Sequence, residues 1–113
     1  MAQGVIMIHY ILRGKKAVPC DDILEFAKWF EKADRQVANE KIGKVRISTV
    51  FLGLDHSFDN ERPTLFETMI FGGKHDEYLE RYDTWEEAEK GHKKAVELVK
   101  SSSSDEITQE KRE

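Results

Sequence analysis

The chain has 113 residues, with 18 lysines and arginines against 22 aspartates and glutamates, a formal charge of −4. Hydrophobic residues make up 39% and charged residues 35%, enough for one small core and too little chain for two. Two Trp, three Tyr and six Phe argue against a wholly disordered chain, no apolar run reaches the ~18 residues of a membrane span, and the mild acidity argues against a general nucleic-acid binder.

Residues 5–12 are apolar and β-branched and read as a strand, broken by the turn Arg13-Gly14-Lys15-Lys16. Residues 21–40 read as a helix. Asp21 is its N-cap, Ile23, Phe26, Ala27, Phe30, Ala33 and Val37 form one face, Leu24 and Trp29 widen that face, and Gly43 ends the segment. Residues 45–54 and 65–71 are the strongest strand signals, and they pair antiparallel through a polar loop at 55–63. A third strand follows Gly72-Gly73 at 78–82. A second helix runs from 85 to 100, opened by a capping box of Thr84 and Glu87. The serine-rich, charged segment 101–113 reads as a disordered tail. The expected fold is a single α+β domain over 1–100, in the order β-α-β-β-β-α. Its antiparallel sheet has three to four strands with two helices on one face.

Alternation puts Val45, Ile47, Thr49 and Phe51 on one side of the sheet and Arg46, Ser48, Val50 and Leu52 on the other. In the next strand Leu65, Glu67, Met69 and Phe71 alternate with Phe66, Thr68 and Ile70. Neither face is clearly polar, and two helices cover only one. A second copy of the chain is an economical cover for the other, so a homo-oligomer is expected; the alternative is that loops fold over it.

Asp55 and His56 follow a buried strand, and Glu67 lies between apolar neighbours. If the protein is an enzyme, these three are the acid–base candidates for hydrolysis. A buried Glu67 otherwise needs an ion-pair partner, with Arg46, Arg62 and Arg81 available. His92 falls on the apolar stripe of the last helix and reads as a hydrogen-bonded core residue. The four histidines have no metal-ligand spacing, so no metal and no cofactor are expected. Cys20 is the sole cysteine, which fits a reducing cytoplasm, and Asp21 and Asp22 beside it disfavour the thiolate. No secretory leader is expected, because no basic segment precedes an apolar one. Arg13, Lys15, Lys16, Arg46 and Arg62 lie near strand ends, among Tyr10, Phe58, Tyr78, Tyr82 and Trp85. Such a set can stack a base and hold phosphate. The ligand-binding candidates are Arg46, His56, Arg62, Glu67 and Trp85.

The runs STVFLGLDH at 48–56, LFETMIFGG at 65–73 and YDTWEEAEKGH at 82–92 together resemble a family of small bacteriophage and prophage proteins without an assigned reaction. The resemblance covers roughly residues 9–100 and implies a bacterial host cell. By analogy with other phage accessory proteins it implies a counter-defence role. The leading expectation is a non-enzymatic homo-oligomer that sequesters a nucleotide-like signal. The alternatives are a module that inhibits a host protein, and a small hydrolase.

Overall fold

The computed structural model describes residues 8–55 and 63–112, with side chains described as far as Ser102. The elements are β1 (Tyr10–Arg13), β2 (Lys16–Pro19), α1 (Ile23–Lys32), β3 (Gln36–Ile42), β4 (Val45–Phe51), β5 (Phe66–Phe71), β6 (Leu79–Tyr82) and α2 (Trp85–Arg112). β3, β4, β5 and β6 form a four-stranded antiparallel meander, and β1 and β2 form a separate hairpin. The class is α+β, as the patterning indicates. No helix among the described residues is long and apolar enough to cross a membrane.

Three local readings need correction. The segment 21–40 is a helix only from Ile23 to Lys32, and β3 follows it. Asp22, not Asp21, is the N-cap: its carboxylate accepts the N–H groups of Leu24 and Glu25. The helix stops because Ala33 turns extended and the Asp34 carboxylate accepts the N–H of Gln36 at 3.0 Å. Arg35 then fastens the start of β3 to Phe51. Its carbonyl accepts the Phe51 N–H at 2.7 Å, and its guanidinium donates to the Phe51 carbonyl at 2.9 Å. These contacts overrule the helical spacing of Ala33 and Val37.

The second correction concerns the turns. Gly14 and Gly43 are not simple breaks. Each opens a two-residue hairpin, with Arg13 opposite Lys16 and Ile42 opposite Val45. Both glycines have positive φ, 63° and 59°, which suits the first position of a primed turn. The expected strand at 5–12 is therefore β1 with a partner, β2, that patterning missed; residues 5–7 lie outside the described residues. Third, Ile23 and Leu24 are exposed. The covered positions of α1 are Phe26, Trp29 and Phe30, at i, i+3 and i+4, followed by the half-buried C-cap Ala33.

α2 lies across all four strands of the meander. Ile47, Thr49 and Phe51 of β4 and Phe66, Thr68 and Ile70 of β5 face it, all essentially inaccessible to water. Ala88, His92, Ala95, Val96 and Val99 close the layer from the helix side. α1 packs on the hairpin and reaches the same sheet face through Trp29, edge-on to Phe51 at 5.8 Å. Thr84 caps α2 by accepting the Glu87 N–H at 3.1 Å. The helix backbone continues past Lys100 to Arg112. Ser102, expected in the tail, is buried against the fold and shares a hydrogen bond with His75 at 2.6 Å.

The opposite sheet face carries Arg46, Ser48, Val50, Glu67, Met69, Phe71, Leu79 and Arg81. Neither helix packs on it among the described residues, and Phe71 and Leu79 are exposed there.

Candidate functional site

His56 and Arg62 lie outside the described residues. The other sequence-selected residues divide between the two sides of the sheet. Arg46 is on the outer face, its guanidinium 4.6 Å above the centre of the Phe71 ring. Glu67 is on the same face, and its carboxylate accepts the Arg81 Nε–H at 2.9 Å. Arg81 is thus the ion-pair partner for a carboxylate flanked by apolar neighbours. Trp85 opens α2 on the other side, edge-on to Phe66 at 6.2 Å. Arg46 and Glu67 therefore share a surface with each other and not with Trp85. Asp55 accepts the Thr64 N–H at 2.9 Å, which ties together the two ends of the polar loop. Its charge, after burial, is the second cause holding the Tyr10 phenol above its usual range.

A chain of polar side chains runs through the middle of the core. Thr49 and Thr68 stand opposite each other on β4 and β5, their hydroxyls 2.5 Å apart. His92 Nδ1 lies 2.7 Å from the Thr49 hydroxyl, and His92 Nε2 lies 3.0 Å from a Glu40 carboxylate oxygen. With Nε2 donating to Glu40, Nδ1 accepts from Thr49, and Thr49 accepts from Thr68, so every member is satisfied. The order hydroxyl, imidazole, carboxylate is that of an activated nucleophile. Thr49, however, is wholly buried and lines neither of the cavities described below. No substrate reaches it, and the chain is a structural tie between α2 and the sheet. Sequence reading placed His92 in the core; Glu40 was hidden inside the supposed first helix.

Tyr82 lies at the edge of this layer. Its ring packs against Gly91 of α2, where any side chain would overlap it. Burial holds its phenol above the usual range, with the nearby Thr68 hydroxyl pulling the other way; its hydroxyl makes no hydrogen bond of good geometry. Tyr78 is pushed up more strongly, first by burial and then by its hydrogen bond to Glu80.

Two cavities bear on ligand binding. One, of about 20 Å³, is lined by Val45, Gly72, Gly73, His75, Val99 and Ser102 and holds no more than a water. The other is a cleft of about 560 Å³ between the β1–β2 hairpin and the first turn of α2, within the size range of small-molecule sites. Arg13, Lys15, Lys16 and Ala17 form one wall, and Asp83, Thr84, Trp85 and Glu86 the other, with Phe66 behind. The Lys15 ammonium sits 5.9 Å from the centre of the Trp85 ring, within cation–π range.

No family model, curated protein or solved structure matches the chain.

The cleft combines three cations, an aromatic face and two carboxylates. Cations pair with an anionic group, the indole stacks on a planar ring, and the carboxylates accept hydrogen bonds from hydroxyl or amino groups. The described residues contain no cluster of three or more His, Cys, Asp or Glu side chains able to hold a metal ion. Arg13, Lys15, Lys16 and Trp85 all stood among the cationic and aromatic residues near strand ends. What patterning lacked was β2, the strand that folds the three cations back over the start of α2.

Proposed function

We propose that the protein is a non-enzymatic binder of a nucleotide-like anion, held in the cleft between the β1–β2 hairpin and α2. The observation that carries this reading is the grouping of Arg13, Lys15 and Lys16 around Trp85 in a cleft of about 560 Å³. The phosphate meets the cations, and the base stacks on the indole. In the bacterial setting that the phage resemblance implies, such binding sequesters a host nucleotide signal. The test is a thermal-shift panel of cyclic and linear nucleotides. A ligand bound only by the native state stabilises it by about 2.7 kcal/mol at a hundred times Kd. A shift that disappears in Trp85→Ala and in Lys15→Ala supports the reading; no shift with any nucleotide refutes it.

The same proposal keeps a second copy of the chain over the outer sheet face, and the exposure of Phe71 and Leu79 there supports it. That exposure also favours a second reading, in which the face docks a host protein and inhibits it. Native mass spectrometry of the purified chain separates the two. A stable oligomer favours the second copy. A monomer that captures a stoichiometric host protein through this face, lost in Leu79→Glu, favours the inhibitor.

A further inference from the structure

We propose, building on the nucleotide-binding reading, that the cleft selects a ligand with a single negative charge, a phosphodiester such as a cyclic nucleotide, over a nucleoside triphosphate. The argument is one of charge at close quarters. Three cations, Arg13, Lys15 and Lys16, face two carboxylates, Asp83 and Glu86, across the cleft. The lining is therefore positive by one formal charge. The first turn of α2 adds little, because its partial positive charge is already answered: Glu86 and Glu87 stand in that turn, and the Glu87 N–H is taken by Thr84. A phosphodiester matches a lining of this charge. A triphosphate brings about four negative charges at neutral pH. After the cations are met, the remainder confronts Asp83 and Glu86 on the opposite wall.

Geometry points the same way. Lys15 Nζ lies 5.9 Å from the centre of the Trp85 ring, so a base that stacks there displaces the ammonium to the ring's edge, where it reaches a phosphate held close to the base. A cyclic phosphate fused to the sugar keeps them close. The carboxylates then serve the other half of the ligand, as acceptors for base amino or sugar hydroxyl groups.

The experiment is calorimetric titration of the full chain with one base in three forms: 3′,5′-cyclic monophosphate, 5′-triphosphate and unphosphorylated nucleoside. Each is run with and without Mg²⁺. The cyclic form is expected to bind at least roughly tenfold more tightly than either of the others. Glu86→Gln, which removes one facing charge and keeps the side-chain shape, is expected to tighten the triphosphate by roughly tenfold and the cyclic form by less. A triphosphate that binds wild type as tightly as the cyclic form, with or without Mg²⁺, overturns the charge selection and leaves nucleotide binding standing. Failure of all phosphorylated forms overturns both. A Glu86→Gln variant with an unchanged preference removes the electrostatic explanation.

Discussion

Thr49, Thr68 and His92 bring polar chemistry into a layer otherwise made of Ile, Phe, Ala and Val. Their bonds are mutual, so removing one partner strands the others. Thr49→Val leaves the Thr68 hydroxyl and His92 Nδ1 without the partner they share. It is expected to destabilise by about 1–3 kcal/mol, read as a lower urea midpoint, whereas Thr49→Ser retains most of the stability. Gly91 is the other sensitive position, because a Cβ there overlaps the Tyr82 ring. Gly91→Ala is expected to cost about 1–3 kcal/mol by overpacking, although alanine suits a helix better in isolation; calorimetric melting measures the sign. Tyr78 supplies a pH dependence. Burial and then Glu80 raise its pKa above the ordinary value of 10.0, so above pH 10 the unfolded chain loses this proton first. The stabilisation is complete below pH 10 and is lost as pH rises toward the folded value. Urea midpoints measured from pH 9 to 11.5 are expected to fall steadily above 10, and less steeply in Tyr78→Phe.

Among the elements, those with strong period-two patterning were legible and those defined by tertiary contact were not. β4 and β5 were found with their faces correctly divided, because Ile47, Thr49 and Phe51 alternate cleanly with Arg46, Ser48 and Val50. The capping threonine of α2 was found for the same reason: Thr84 is a local signal. β3 was lost to the first helix. It is an edge strand of sequence QVANEKI, mostly polar, with a register shift between Gln36 and Ala38 that breaks the alternation. Its Val37 happens to continue the helical spacing of Phe26, Phe30 and Ala33. β2 was lost because KAVP is short and polar at its start. The candidate site suffered accordingly. Trp85 lines the cleft, and the cations opposite it depend on the hairpin. Arg46 and Glu67 were grouped with Trp85 because strand register alone does not say which face a helix covers. Cap strength is testable at this scale. Asp22→Ala removes the acceptor for two N–H groups and is expected to cost about 1 kcal/mol, with circular dichroism and urea denaturation reading the loss.

The whole molecule is a four-stranded meander roofed by α2, with the β1–β2 hairpin and α1 attached at the Phe51 end. The attachment is apolar at its centre, where Tyr10, Leu12, Ala17 and Trp29 pack against Phe51, Leu65, Phe66 and Ala88. Tyr10 N donates to the Gly53 carbonyl at 2.8 Å, His9 bridges to Leu54, and Trp29 meets Phe51. The cleft spans this joint: its cationic wall belongs to the hairpin, and Trp85 belongs to the sheet-and-roof body. A ligand that grips both is expected to slow amide exchange in β1 and β2 more than in β4 and β5, which hydrogen-exchange mass spectrometry reads directly. The strand order carries a consequence for how the chain assembles in time. Every neighbour in the large sheet is also the neighbour in sequence, so the sheet zips up hairpin by hairpin, with the smallest closure entropy at the two-residue Gly43 turn. The bond from His92 to Glu40 spans 52 positions and forms only when the roof comes down. Substitutions at the Gly43 turn are therefore expected to slow refolding. Those at the Trp29–Phe51 joint are expected chiefly to hasten unfolding, the outcome for a contact that forms late.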